Sequence, residues 1–460
     1  MEDIKALVDW STDHGATLHP SVEVYDDPTT GFSFRVKPSS ENPLPAWDQV
    51  VSLPTRLSLS YLDVIHAASS NPIFPAEFVS QTPPHVIGRF FLAKQYLLGR
   101  DSFWWPYIQA LPQPADEDSW CLPPFWPTDD AELLEGTNVE VGLEKIRADV
   151  RKEHAAAAAL LKQHGDEKDK EISMKLYQWA YCIFSSRSFK PSLVLAEEEQ
   201  TRLPDGIGIN DFSVLLPLFD IGNHDMTLDV RWELQQKPHN TCELRVGRSF
   251  QPGQQVFNNY SMKTNAELLL GYGFMIPPTE ELHNDYTHVR KRTSSPSASE
   301  EYYISRRPMA HSSSLLGRYR QELTVELPEG KSIIGTFQHV QPDMVWDIFC
   351  TLCQPEERAQ IMPSDAATLE EQEVARQRQF FSGDVKQGSQ AHAYLEHTMG
   401  IIQHKVMQEL ERLEETEVEL VDGQEGDLTR NQRLALEYRR RCRAVLENTL
   451  EAMGLEEEAA

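Results

Sequence analysis

The sequence predicts an α+β chain: a β-rich amino-terminal part split by a helical insertion, then an all-helical carboxy-terminal region. Three observations carry this. Short apolar runs alternate with turn residues up to Ser60 and again from Phe212 to Tyr260, helical spacing governs the stretch between them, and beyond about Pro342 the pattern is helical. At 460 residues and 40% hydrophobic, with nine Trp and nineteen Phe, the chain exceeds one ordinary core and has material for two or three domains. The expected boundaries are 1–285 for the β-rich part with its insertion at about 80–205, 286–341 for a loop-rich linker, and 342–460 for the helical region.

Each element has a local cause. In SVEVYDDPTTGFSFRV the Asp-Pro and Thr-Thr-Gly signals bound strands at Val22–Tyr25 and Phe32–Val36, and a third strand follows at Val50–Leu53. From Val86, the residues Ile87, Phe90, Phe91, Ala93, Tyr96 and Leu97 recur on neighbouring helical turns. The Trp104–Trp105 pair in SFWWPYIQALP anchors a loop into the core. Helical signal returns from Glu144 to Phe184, interrupted near Gly165 by a charged, exposed turn. Gly247 and Pro252-Gly253 turn the second β segment, and Asn265–Leu270 suits a short helix. The Ser-rich run RKRTSSPSASEE, Arg290 to Glu301, reads as a loop near a domain boundary. From Leu428 to Met453, Leu434, Tyr438, Cys442, Val445, Leu446 and Leu450 share one helix face. Arg439, Arg440, Arg441 and Arg443, flanked by Glu437 and Glu447, read as a solvated face, and the terminal LEEEAA should fray.

Composition excludes several classes. A net charge of -28 repels nucleic acid, whose binding rests on neutralised phosphates; it suits either encounter with a basic protein at low salt or simple solubility. No apolar run approaches the ~20 residues of a membrane span, and MEDIKALVDW lacks a basic and then apolar leader. The expectation is a soluble monomer, cytoplasmic and/or nuclear, with no membrane partner. The six Cys are neither a disulfide framework nor a zinc pattern, so no metal site is expected, and Cys350-x-x-Cys353 belongs to a core helix.

Two stretches carry the chemistry: LLPLFDIGNHD, Leu215 to Asp225, and VFNNYSMKTNAELLLGYGF, Val256 to Phe274. Polar side chains this dense beside apolar strands are costly to bury unless they bind something. Asn223 and His224 are adjacent, so on an extended backbone their side chains point to opposite faces. These motifs resemble those of SET-domain protein methyltransferases, specifically the Rubisco large-subunit lysine methyltransferase-like group. YLLGRDSFWWPYIQALP and FWPTDDAELLEGT resemble that group's insertion, so the similarity spans roughly the first 280 residues.

The resemblance implies a SET fold with a pseudoknot-like active site, closed by the helical region in place of a Cys-rich zinc segment. It implies S-adenosyl-L-methionine as cofactor and a protein lysine as methyl acceptor. Tyr260 is the implied catalytic residue, near the transferred methyl. The Asn223 amide holds the methionine end, the His224 backbone addresses the adenine, Phe274 packs near it, and Thr30, Gly31 and Phe32 supply backbone contacts. Arg187, in SSRSF, sits between cofactor and substrate channel. Phe189, Asp220 and Tyr272 are the remaining substrate-side residues, Asp220 also bracing its turn. An apolar Phe189 suits the alkyl stem of lysine better than a polar ring.

Displacement at the methyl needs a neutral amine with its lone pair aimed in line. Since lysine has a reference pKa of ~10.4, desolvation beside a cationic sulfonium must favour that form. The Tyr hydroxyl adds a rigid hydrogen-bonding group without a permanent charge. Two departures from the group stand out, Ser33 for a second Gly and Ser261 for the Gly after the catalytic Tyr; where that Gly provides a special backbone angle, Ser261 strains the turn. A protein-histidine methyltransferase and a non-catalytic SET-fold interaction module are the alternatives. Ribosomal proteins and translation factors are candidate substrates by analogy.

Overall fold

A computed structural model of the protein describes residues 2–67, 70–236, 240–290, 301–320, 324–418 and 428–454. The chain divides into two compact units, Met1–Leu122 with Lys145–Ser261, and Pro123–Glu144 with Met262–Ala460.

Among its described residues the first unit carries ten strands: β1 (Thr17–Leu18), β2 (Val22–Asp27), β3 (Gly31–Val36), β4 (Gln49–Pro54), β5 (Leu59–Ser60), β6 (Ser188–Phe189), β7 (Val214–Leu215), β8 (Val230–Gln235), β9 (Thr241–Val246) and β10 (Gln255–Val256). They form three small sheets, ordered β1-β4-β9-β8, β10-β3-β2 and β5-β7-β6, with every pairing antiparallel. The β2–β3 hairpin follows from its turn chemistry. The Asp27 carboxylate accepts the N–H groups of Thr29 (2.9 Å) and Thr30 (3.0 Å), and Gly31 takes φ +75°, a conformation that costs glycine least.

The helix Pro84–Leu98 opens on proline, ends at Gly99 with φ +58°, and buries Val86, Ile87, Phe90 and Phe91. It packs on Met174–Arg187, where the rings of Phe90 and Tyr177 stand 5.0 Å apart. Trp104 is the loop anchor: its indole N–H lies 3.1 Å from the Leu57 carbonyl and 3.2 Å from that of Ser58. The break near Gly165 is present, between Glu140–His164 and Glu167–Lys170, but its charges are not all exposed. Asp169 is buried because the Lys94 ammonium reaches it at 2.7 Å.

In the second unit β11 (Tyr286–Arg290) and β12 (Glu301–Ser305) pair antiparallel. Of RKRTSSPSASEE only its ends, Arg290 and Glu301, fall among the described residues, and they are partners in this ladder. The helices Pro342–Leu352, Pro355–Ile361, Leu369–Phe381, Gln390–Glu415 and Arg430–Ala452 follow. Val345, Phe349, Phe380, Ile402, Val406 and Val445 meet in their core, and Thr368, Ser389 and Thr429 cap three of them. Cys353 is fully buried at the end of Pro342–Leu352. LEEEAA lies outside the described residues.

The basic run of the last helix corrects the reading of a solvated face. Arg439 and Arg441 are buried, and only Arg440 stands well exposed. Arg439 donates to the carbonyls of Glu135 and Leu413, while Arg441 donates to the Ile276 carbonyl (2.7 Å) and pairs with Glu437 (2.8 Å) and Asp285 (3.4 Å). A guanidinium survives burial because its planar fork of donors is filled by carbonyls and carboxylates.

Candidate active site

The site of the first unit is built where two remote segments run side by side. Leu218, fully buried, takes φ +67° and turns the chain out of β7 into the short 3-10 turn Phe219–Ile221. The chain then continues beside 256–260. His224 and Asn258 form a parallel bridge in which Asn258 N–H donates to the Asn223 carbonyl (2.7 Å) and Asp225 N–H to the Asn258 carbonyl (2.9 Å). Gly222 permits the approach, since a Cβ there would stand 3.3 Å from Asn258 Cβ and 3.4 Å from the Phe34 ring.

Tyr260 is locked into this crossing. Its backbone N–H donates to His224 Nδ1 (3.1 Å), its hydroxyl donates to the Gly222 carbonyl (2.8 Å), and its ring stacks on the His224 imidazole at 4.9 Å and 10°. Ser261 follows at φ +75° with its N–H on Asn259 Oδ1 (2.9 Å), so the residue after Tyr260 does occupy the left-handed region. Asn223 turns the other way, donating from Nδ2 to Thr30 Oγ1 and Gln255 Oε1, both at 2.9 Å. Beside it Gly31 is open, for an added Cβ would meet nothing within 4 Å, and Phe32 is half-buried.

A second cluster surrounds Asp220. Its carboxyl is buried; Oδ2 accepts from the Tyr107 hydroxyl at 2.8 Å and lies 3.8 Å from Arg187 Nη1, while Oδ1 has no hydrogen-bond partner. Burial pushes Asp220 up to about 6, against the pull of Arg187 and the Tyr107 hydrogen bond. Phe189, on β6, stands edge-on to Phe219 and to Trp232, both at 5.5 Å, and the Trp232 indole N–H donates to Asn258 Oδ1 at 3.2 Å. These rings make an aromatic corner with a neutral lining.

In the second unit, Thr264 and Glu267 form a capping box on the helix Asn265–Tyr272, which ends in Gly273 at φ +73°. The rings of Tyr272 and Phe274 stand edge-on at 6.2 Å, the Lys263 ammonium stands 5.8 Å from the Tyr272 ring centre, and burial pushes the Tyr272 phenol up to about 12.

Within the first unit, Thr30, Asn223, His224 and Tyr260 are thus connected by hydrogen bonds, and Arg187 is gathered with Asp220. Three participants escaped the sequence reading: Tyr107, Trp232 and Gln255. Tyr107 lay within the quoted PYI segment, whose aromatic flanked by Pro was a usable signal; Trp232 and Gln255 carry no local mark.

The chain is 28% identical over 278 residues to ribosomal lysine N-methyltransferase set10 of Schizosaccharomyces pombe, covering 60% of this chain and 46% of that protein. It is 27% identical over 208 residues to protein-lysine N-methyltransferase EFM1 of Saccharomyces cerevisiae, covering 38% and 33%. Over 276 residues it is 22% identical to the actin-histidine N-methyltransferase of Xenopus tropicalis, covering 58% and 42%. The chain therefore spans less than half the length of these curated relatives. No family model matches it. Among solved structures, the SET domain of LSMT bound to lysine and AdoHcy superposes with a TM-score of 0.60 at 16% identity, over 98% of this chain and 90% of that one. Rubisco LSMT bound to AdoMet gives 0.57 at 16% identity, over 98% and 91%.

Proposed function

We propose that this chain, which has the SET fold and is related to the SET-domain lysine methyltransferases of the Rubisco large-subunit methyltransferase-like group, is an S-adenosylmethionine-dependent protein-lysine N-methyltransferase acting on a non-histone protein. The observation that carries the reading is the crossing of 222–226 with 256–260, which ties Asn223, His224 and Tyr260 into one hydrogen-bonded unit. S-adenosylmethionine, when bound, supplies an electrophilic methyl. Thr30, Gly31 and Phe32 with Asn223 and the His224 backbone are the residues to hold it, and the open backbone at Gly31 fits close approach of a ligand.

Tyr260 orients the acceptor. Its proton is committed to the Gly222 carbonyl, so the phenolic oxygen presents lone pairs to an amine N–H and turns the nitrogen lone pair toward the methyl. Asp220 and Arg187 form the charged wall of the acceptor side, and the corner of Phe189, Phe219 and Trp232 suits a methylene stem. The net charge of -28 suits a basic substrate, such as a ribosomal protein or translation factor. Among the described residues no helix is long and apolar enough to cross a membrane.

Tyr260→Phe tests the reading: labelled methyl transfer to protein is lost while S-adenosylhomocysteine still binds. Unchanged turnover would sink the role given to Tyr260. The similarity to actin-histidine N-methyltransferases favours histidine as the second acceptor, and mass spectrometry of methylated substrate decides between the two.

A further inference from the structure

The hydrogen bonds around Asn223 have a direction, and one carboxylate sets it. Asp27 accepts from Thr29 N–H (2.9 Å), from Thr30 N–H (3.0 Å) and from the Tyr25 hydroxyl (2.9 Å), and these donors, Thr29 foremost, hold it below the usual carboxylate range. An ionised carboxylate only accepts, so the Tyr25 proton is spent on Asp27 and the Tyr25 oxygen must accept in turn. Its donor is Gln255 Nε2, at 2.8 Å, which also lies 3.4 Å from Asp27 Oδ2. A flipped Gln255 would set its carbonyl oxygen against the phenol oxygen and the carboxylate.

The orientation of Gln255 then dictates the next amide. Gln255 Oε1 accepts from the Ser33 hydroxyl (3.1 Å) and from Asn223 Nδ2 (2.9 Å). The other hydrogen on Asn223 Nδ2 goes to Thr30 Oγ1 (2.9 Å), whose own proton is directed to Asp27 Oδ1 (3.1 Å). Both amide hydrogens of Asn223 are therefore engaged by protein, and its oxygen is the atom left to meet a ligand. Ser33 is fully buried, and its hydroxyl finds its acceptor in Gln255, so the departure from glycine is absorbed by this network.

We propose that Gln255, clamped by Tyr25 and Asp27, is a positioning residue that presents the carbonyl oxygen of Asn223 to the cofactor, so that the site selects a ligand carrying an ammonium group. The inference rests on the assignment of Asn223 to the cofactor's methionine end, and it names the atom of that amide that binds. The amide hydrogens are unavailable to the carboxylate; the oxygen accepts from the ammonium.

Two probes separate the inference from that assignment: S-adenosylhomocysteine, which carries the amino acid, and 5′-methylthioadenosine, which lacks it. Calorimetry on the full chain should give tighter binding of the first. Gln255→Leu should weaken S-adenosylhomocysteine about tenfold, the loss of one oriented charge-assisted hydrogen bond, and leave 5′-methylthioadenosine within about twofold. Tyr25→Phe removes a single hydroxyl, leaves the ring beneath Arg35, and should weaken only S-adenosylhomocysteine, with the double variant no worse than Gln255→Leu. The milder variant keeps the test open should Gln255→Leu not fold. Equal weakening of both probes, unchanged affinity for S-adenosylhomocysteine, or multiplying losses in the double variant would overturn the inference alone. A wild-type chain that binds neither probe overturns the cofactor assignment and the inference with it.

Discussion

Asp220→Asn separates the charge of a buried carboxyl from its shape. The asparagine oxygen can still accept from Tyr107, but nothing ionises. In the native protein burial lifts Asp220 from 3.8 to about 6, so the carboxyl resists ionisation when folded and ionises easily when unfolded. A raised acid contributes stability that is full below its unfolded value and is lost as pH climbs through the folded one, here between about pH 4 and pH 6. A shift of roughly two units at 1.36 kcal/mol each is about 3 kcal/mol. The stability of Asp220→Asn minus that of the native chain should therefore rise by about 3 kcal/mol between pH 4 and pH 8. Denaturant unfolding followed by Trp fluorescence, at a series of pH values, measures it. A difference that stays flat, or falls with pH, would refute the account of Asp220 as a buried carboxyl only partly compensated by Arg187 and Tyr107.

Tyr107→Phe removes a hydrogen bond that favours the ionised carboxyl, so in the same unfolding series the upper end of the pH window over which the native and Asp220→Asn stabilities diverge should move upward, while its lower end, set by the unfolded chain, stays in place. Ser261→Gly relieves a left-handed serine and should stabilise the chain by up to about 1 kcal/mol, because glycine's larger unfolded-state entropy offsets part of the gain. A loss of stability in denaturant would show that the serine side chain supports the turn. Asp285→Ala strips the carboxylate from Arg306 (3.0 Å) and Arg441 (3.4 Å) in a buried position and should cost about 3–5 kcal/mol; a thermal shift equivalent to less than 1 kcal/mol would mean the guanidinium groups reach water instead.

What could be read in the sequence was whatever announces itself locally. The β2–β3 hairpin was legible because Asp27, Pro28 and Thr29 encode their own turn, and the helix Asn265–Tyr272 because Thr264 and Glu267 cap it. Ser261 was legible as a point of strain, since a special backbone angle is a one-residue property. Partners far along the chain were not. Tyr107 meets Asp220 across 113 positions, and no periodicity marks either as belonging to the other. Arg439 looked solvated because a helical wheel displays charge but not the carbonyls of Leu133 and Glu135 that approach it from three hundred positions away. Asp169 was misjudged for the same reason, its counter-charge being Lys94 on another helix. The direction of the Asn223 amide depends on a chain of donors and acceptors drawn from β2, β3 and β10, and no single segment contains it.

Leu218 holds a conformation that costs an L-residue about 1–2 kcal/mol, yet its side chain is wholly enclosed. Glycine would ease the backbone and forfeit about 2–5 kcal/mol of packing, so leucine remains the better residue at a position where turn statistics recommend glycine. Redesign guided by backbone preference alone would choose wrongly here, and the error would surface two residues later. The bend at Leu218 aims Asp220 toward Tyr107 and Arg187, so a slack turn would show in the titration of Asp220 as well as in a lower melting point.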